Sequence, residues 1–257
     1  MLSQDEKRLL AAANNADLHE AIFDANAIPY RRTDEALVCE DHPPPYFANI
    51  VTNRPGHAPG IAGLVANLQA AAQNDGQAGL FVKDSFAELD PVKLAMDTLL
   101  EASWLWREPQ GGAADQAPSG WRRIGIESEL AAWHEAWRAG GSPTSATVFL
   151  PNCLQDERLT FMGRFSGTGC EAGCLLNQSG PVVGLSNLFA LRHEPSFFEE
   201  IVEVAGSEFP GLTIVGYEQP TRAVAAPAAG FEEVGKLRVL MSAPVDAPDK
   251  RDASDVD

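Results

Sequence analysis

A segment with few large apolar residues divides this chain of 257 residues near its middle, and it limits the possible folds more than any other feature. Residues 108–120 read EPQGGAADQAPSG, which shows no apolar periodicity. Such a segment buries too little apolar surface to offset the entropy lost on ordering. We therefore predict two halves, 1–107 and 121–242, joined by a linker at 108–120. The polar tail at 243–257 is predicted to be disordered for the same reason.

The two halves share an order of predicted elements. In each half a buried strand, Gly79–Val82 or Leu212–Tyr217, is followed by a predicted helix and a closing strand. The two predicted helices are Pro91–Ala102 and Thr221–Ala229. Alternating strands and helices predict an α/β fold with a mixed (α+β) sheet in each half, flanked by helices. The repeated order indicates internal duplication, although βαβ units are common enough to produce it by chance.

The charge balance excludes some classes of partner. The chain has 36 acidic and 19 basic residues, a formal net charge of −17. A field of this sign repels nucleic acid and anionic membranes, and it serves either solubility or the attraction of a cationic amine. No apolar run approaches the roughly 20 residues of a membrane helix, and residues 1–10 contain no apolar signal core. We therefore expect a cytoplasmic protein, either a monomer or a homodimer.

The cysteines and the serine motifs do not suggest a metal site or a hydrolase. On a strand, Cys170 and Cys174 would lie about 13 Å apart, too far to share one metal ion. The four cysteines are too scattered for a disulfide framework, so we expect small, buried thiols. No Gly-x-Ser-x-Gly motif occurs. We predict no metal.

The stretch Leu159–Met241 resembles the later part of a GNAT (GCN5-related N-acetyltransferase) domain in three respects. A meander of strands ends in Val183–Ala190, where the family has the splayed strand along which the pantetheine arm lies. A strand, a helix and a strand follow. Residues 228–235 (AAGFEEVG) resemble the family's helix ending, in which a glycine stops the helix and a phenylalanine fills the core. The resemblance implies two GNAT-like halves in tandem, the first one degenerate, with acetyl-CoA as the cosubstrate.

The resemblance also implies a cosubstrate site in the second half. Its residues are Leu188, Phe189, Ala190, Arg192, Ser196 and Phe197. The matching loop at 191–196 (LRHEPS) lacks the family's glycines, whose N–H groups hold the diphosphate. Ala226 occupies the place where the family often has a tyrosine that acts as the acid. The implied function is therefore an acetyl-CoA-dependent N-acetyltransferase acting on an amine of a small molecule or protein. The alternative is a non-catalytic GNAT-fold binding or regulatory protein.

A second candidate anion site lies in the first half. Residues 53–60 (NRPGHAPG) come between a strand and an amphipathic helix, and no acidic residue occurs from His42 to Asn74. Arg54 and Gly60 are the candidate cofactor-binding residues there, because a helix start without nearby acids suits phosphate. The alternative is a flexible connector.

Two carboxylates are candidates for the catalytic base. Asp84 and Glu218 each come just after a buried strand, and ligands of open α/β sheets lie at such strand ends. Either carboxylate would take the proton from an amine that attacks a thioester. Turn and capping chemistry is the alternative role for Asp84.

Overall fold

The computed structural model describes residues 2–75, 79–109, 117–167, 169–192, 196–221 and 223–242. The predicted tail and the centre of the predicted linker, 110–116, lie outside these residues. Within them, the chain forms one mixed eleven-stranded sheet and four α-helices, which confirms the predicted mixed α/β class. No helix of the described part has both the length and the apolar character needed to cross a membrane.

The bounds of the elements are as follows. The helices are α1 Gln4–Ala25, α2 Ala58–Asp75, α3 Glu127–Ala139 and α4 Phe197–Glu208. The strands are β1 Tyr30–Arg32, β2 Ala36–Cys39, β3 Ile50–Thr52, β4 Phe81–Asp84, β5 Met96–Arg107, β6 Trp121–Arg123, β7 Leu159–Ser166, β8 Gly169–Ser179, β9 Val182–Ala190, β10 Thr213–Glu218 and β11 Glu232–Ser242.

One order of elements occurs twice along the chain. A helix, three strands, a helix and two strands form the series α1 to β5, and the same series recurs from α3 to β11, with β6 in between as an edge strand. The strand order in the sheet is β1-β2-β3-β4-β11-β5-β10-β9-β8-β7-β6. Each series therefore inserts its last strand between two strands of the other series: β5 lies between β11 and β10, and β11 lies between β4 and β5. Strand β5 pairs with β10 and β11, and β11 pairs with β4.

The two predicted closing helices are wrong. Residues 91–95 form turns, and β5 begins at Met96, because the alternation of Ala102, Trp104 and Trp106 toward one face is a strand pattern. Residues 221 and 223–229 form turns and a short 3-10 helix, since Pro227 lacks the N–H that a helix interior needs.

The helices cover both faces of the sheet. Val182 packs in the same cluster as Ala11 and Ala12 of α1, whereas the next residue, Val183, packs with Ile201 of α4. Because successive strand residues point to opposite faces, α1 and α4 lie on opposite faces. Helix α3 shares a core with α1, and α2 covers the first strands on the face of α4.

Helix α1 is longer than the sequence predicted. The spacing of Leu18, Ile22 and Phe23 predicts a helix over Asp17–Asn26. Helix α1 instead begins at Gln4, with a capping box in which the side chains of Ser3 and Glu6 each accept from the other's backbone N–H. Its inward face carries four buried polar residues at helical spacing, Lys7, Asn14, Asn15 and His19. These polar residues hide the apolar periodicity on which the prediction relied.

Candidate functional site

The parallel strands β9 and β10 stay together over only part of their length. Four residue pairs join them, from Val182 with Thr213 to Leu185 with Gly216. Beyond this point β9 continues as a partner of β8 alone, and Tyr217 and Glu218 pair only with β5. The backbone pairing of the two strands therefore ends before their carboxyl ends, and we call the unpaired stretch beyond Leu185 and Gly216 the wedge.

A bulge in β9 lies at the start of this wedge. The pairing of β8 with β9 shifts between Gly173 and Leu175, and Asn187 has a φ of 52°. A bulge bends its strand and increases the local twist, so it turns β9 away from a straight path beside β10. After the bulge, Leu188 and Ala190 pack toward α4. Phe189 points to the other face, with its ring centre 5.1 Å from that of Trp133.

The start of α4 adjoins the wedge and carries mixed charge. Arg192 and Ser196 are exposed, Phe197 is half-buried, and residues 193–195 lie outside the described part. Ser196 is the N-cap residue but makes no side-chain cap bond. Two acids, Glu199 and Glu200, occupy the first turn. Glu200 accepts hydrogen bonds from Arg164 at 2.7 Å and from the Trp121 indole at 2.8 Å, so a cation and a donor compensate it.

The corresponding strands of the first series are closed at the same place. Strands β3 and β4 share two residue pairs, Ile50 with Val82 and Val51 with Lys83. At their carboxyl ends the Thr52 hydroxyl accepts from the Ser85 N–H at 2.8 Å and bridges the strands. Thr52 and Ser85 are both buried. A buried side chain therefore fills the position that the wedge leaves open in the second series.

The chain's own carboxylates lie at the predicted anion site of the first half. The Gly56 N–H donates to Glu88 at 2.7 Å, and a Cβ placed on Gly60 would lie 2.5 Å from a Glu35 carboxylate oxygen. His57 is 3.5 Å from the same Glu35 carboxylate. Arg54 is exposed. The local absence of acids in the sequence thus does not extend to space, because Glu35 and Glu88 come from other elements.

Asp84 is buried and fully engaged. Its carboxylate accepts the N–H groups of Glu88 at 3.1 Å and Leu89 at 2.9 Å, and a guanidinium nitrogen of Arg238 lies 3.1 Å away. The residue is 1% exposed. The arrangement fixes the turn after β4 and neutralises Arg238.

Lys83, near the end of β4, and Tyr217, near the end of β10, meet on the α1 face. Strands β4 and β10 run in opposite directions on either side of β11 and β5, so both end near the middle of the sheet. There the Lys83 Nζ lies 3.2 Å from the Tyr217 hydroxyl and 4.4 Å from the centre of the Tyr217 ring. It also donates to Asn15 Oδ1 of α1 at 2.9 Å. Glu218 follows Tyr217 and accepts from the Gln219 N–H at 3.1 Å.

Sequence reasoning named the adjacent carboxylates Asp84 and Glu218 and gave Lys83 and Tyr217 no role. It missed their α1 partner, Asn15, and the nearby His19. His19 is 1% exposed, and burial together with the charge of Lys83 lowers its pKa to about 3. The helical spacing of Asn15 and His19 with Ile22 is the signal that could have placed them on the inward face.

The ending at Gly230 and Phe231 has the predicted packing without the predicted helix. Gly230 has a φ of 83°, which a residue with a side chain rarely adopts. Phe231 is buried against α4, with its ring centre 5.5 Å from that of Phe198. Ala226 is also buried, so no acid occupies the place of the family's tyrosine.

The cysteines are buried, unbridged thiols, and burial raises the pKa of Cys153 and of Cys170 to about 11. No cluster of three or more His, Cys, Asp or Glu side chains suited to a metal ion occurs in the described part of the chain.

Comparison with known proteins identifies the fold. No family model and no curated protein matches the chain. A GCN5-related N-acetyltransferase from Kribbella flavida superposes with a TM-score of 0.59 at 13% identity, over 90% of this chain and 95% of that one. One from Sphaerobacter thermophilus superposes with a TM-score of 0.56 at 12% identity, over 92% and 90%. Saccharomyces cerevisiae N-myristoyltransferase with bound myristoyl-CoA superposes with a TM-score of 0.51 at 7% identity, over 76% of this chain and 58% of that one. The chain therefore has the GNAT acetyltransferase fold.

Proposed function

We propose that this chain is an N-acyltransferase that moves an acyl group from an acyl-coenzyme A, acetyl-CoA in the first instance, to an amine. The parting of β9 and β10 after Leu185 and Gly216 carries the proposal. A gap between strands presents backbone groups to a peptide-like ligand, and the pantetheine arm contains two amides. The GNAT fold of the solved relatives supports the same assignment.

The second half is the better place for the thioester. There the wedge is open, whereas Thr52 and Ser85 bridge the corresponding strands of the first half. We propose that Leu188 and Ala190 flank the pantetheine arm. Arg192 and the N–H groups at the start of α4, from Ser196 and Phe197, would face the diphosphate. Phe189 would keep its strand in place through its contact with Trp133.

In the proposed reaction, the amine nitrogen attacks the thioester carbonyl carbon. The C–N bond forms and the C–S bond breaks, while the nitrogen loses a proton and the sulfur gains one. The Tyr217 hydroxyl accepts a hydrogen bond from Lys83, so its own O–H can donate to another group. We propose that it gives its proton to the departing sulfur. We propose Glu218 as the proton acceptor rather than Asp84, whose carboxylate already accepts from two backbone N–H groups and Arg238.

Titration calorimetry with acetyl-CoA, followed by thiol release in the presence of an amine panel, tests this function. We expect saturable binding, and we expect Glu218→Gln to lower kcat at least about 100-fold, the usual contribution of a general base. The matched control is Glu203→Gln, an exposed acid on α4, which should leave kcat unchanged. Absence of saturable heat with acetyl-CoA would sink the proposal.

A second function, that of a non-catalytic binding or regulatory protein, is favoured by one observation. Carboxylates lie at both helix starts that face a strand end, Glu35 and Glu88 at α2 and Glu199 at α4, and they oppose a diphosphate. This function predicts a stable fold with no thiol release from any amine. The cytoplasmic location and the division into two GNAT-like domains remain predictions from the sequence.

A further inference from the structure

Lys83 is a buried cation whose partners are all neutral. The residue is 4% exposed. Its ammonium group donates to Asn15 Oδ1 at 2.9 Å and to the Tyr217 hydroxyl at 3.2 Å, and it lies over the Tyr217 ring. No carboxylate in the described ranges forms an ion pair with it. A third N–H of the ammonium group is left over, since Lys carries three donors.

The lack of a carboxylate partner for Lys83 in the described ranges is unusual in a chain with 36 acidic residues. A buried charge without a counter-charge is costly, and proteins normally pair it. The neighbouring Arg238 is paired in this way, with Asp84. Asp84 thus supplies a counter-charge to the half-buried Arg238 of β11, whereas no carboxylate in the described ranges pairs with Lys83, which points to an anion that comes from a ligand.

A second polar atom nearby also lacks a partner. His19 Nδ1 lies 2.8 Å from the Asn15 carbonyl oxygen, so this nitrogen carries the proton and Nε2 holds a lone pair. Nε2 is buried and has no hydrogen-bond partner. The imidazole is uncharged at neutral pH, because its pKa is about 3. Asn15 thus contacts both residues, the Lys83 ammonium group through its side-chain oxygen and the His19 ring through its carbonyl oxygen, and the acceptor at His19 Nε2 is unused.

The cluster adjoins the wedge. Tyr217 is the first residue of β10 beyond the last pair with β9, it is half-buried, and it contacts Lys83 through its hydroxyl and its ring. A ligand that enters the gap meets Tyr217 first. The amine of this ligand would then lie near the wedge, and a second functional group of the ligand would extend toward the Lys83 ammonium group.

We propose that Lys83 binds the carboxylate of the acceptor, so that the acceptor is an amine that also carries a carboxylate, as amino acids do. The inference rests on the proposed acyl transfer and specifies its substrate class. His19 Nε2 accepts from an N–H of the same ligand. Such a zwitterion has no net charge, and the strongly acidic protein does not repel it.

Matched ligand pairs test the proposal directly. The probes are L-phenylalanine, L-phenylalaninamide and 2-phenylethylamine, and the corresponding set from L-alanine, which differ in the carboxylate. Binding is measured by calorimetry without any acyl-CoA, and transfer is measured separately with acetyl-CoA. We expect the acids to bind about ten- to hundredfold more tightly than their amides and amines, the range for a hydrogen bond to a charged group.

The variant Lys83→Met keeps an unbranched side chain that is one heavy atom shorter, and it removes the charge. We expect it to abolish the preference for acids over amides while unfolding at a temperature equal to or above that of the wild type, because a cation without a counter-ion is no longer buried. The matched control is Lys93→Met, whose side chain is 83% exposed and which should keep the wild-type preference.

The outcomes separate the two proposals. Equal affinity of the wild type for acids and amides overturns the carboxylate site, and so does a preference that survives in Lys83→Met. This first comparison needs no variant, so it decides the matter even if Lys83→Met does not fold. Acid-selective binding without acyl transfer would retain the site and reject the proposed function. Acyl transfer at equal rates to acids, amides and amines would retain the proposed function and reject the carboxylate site.

Discussion

Single buried polar residues decide much of what this site can do. Asp84 follows a buried strand in the sequence and looks like a base, yet its hydrogen bonds make it the anchor of a turn. Lys83, one residue earlier, points to the opposite face and contacts Asn15 and Tyr217. The sequence places both residues at a strand end, because the apolar run before them is clear. Their division between two faces depends on the register of β4, which local patterns do not specify.

His19 should make the stability of the protein depend on pH. Its pKa is about 3 in the folded state and near 6.5 in an unfolded chain, so only the unfolded state binds a proton between these values. The free energy of unfolding therefore falls as the pH drops from 6.5 toward 3, by up to about 1.4 kcal/mol per pH unit. His134, with a pKa of about 4, adds a similar effect down to that pH.

Urea denaturation at pH 7, 5.5 and 4.5 checks this effect. The variant His19→Leu, which places an apolar side chain between Phe23 and Phe47, should lose less stability on acidification than the wild type. The part of the slope that comes from His134 should remain. Identical slopes in the two proteins would show that His19 is not held uncharged.

Among the elements, the starts of α2 and α4 illustrate what sequence patterns can and cannot reveal. Gly56 and the lack of acids nearby in the sequence correctly indicate a helix start at α2. They do not show that Glu35 and Glu88 reach it from the turn before β2 and from the turn after β4, since such contacts depend on long-range packing. At α4 the acids are local, and the sequence displays them.

The two helix starts can be distinguished by a pair of charge-removing variants. Glu199→Gln should bind acetyl-CoA about two- to fivefold more tightly, because a carboxylate in the first turn of α4 opposes the diphosphate with about 0.3–1 kcal/mol. Glu88→Gln, at α2, should leave the affinity unchanged. Calorimetric Kd values for the two variants and the wild type give the answer. A gain confined to Glu88→Gln would place the ligand in the first half instead.

At the scale of the whole molecule, β5 and β11 bind the two series of elements into one sheet. Each pairs with strands of the other series, and the β5–β11 ladder joins ten residue pairs, from Glu232 with Trp106 to Ser242 with Met96. The mixed-sheet class was predictable, because the apolar runs of its strands are local. The predicted repeat of strand, helix and strand depended on the two wrong helices, and the series that recurs instead begins at α1 and α3. The exchange of β5 and β11 between the series was not predictable, since both misassigned helices lie just before or within the exchanged strands and hid their length.

This topology predicts that neither half folds alone. Fragments 1–109 and 117–257, expressed separately, should show little structure by circular dichroism, because each leaves buried strands without partners. Mixing the two fragments should restore the far-ultraviolet spectrum, and the intact chain should unfold in a single transition. A folded, monomeric fragment 117–257 would contradict the prediction.

The exchange of β5 and β11 also bears on how such a chain changes over time. If the first series no longer meets a ligand, a deletion that removes it would still leave β10 and β11 without the strand between them. The chain must therefore keep the first series for its structural role even if that series binds no ligand. Its sequence can change only as long as β4 and β5 still pair with their neighbours in the sheet. The gene can therefore lose the activity of the first half without losing the sequence that encodes it.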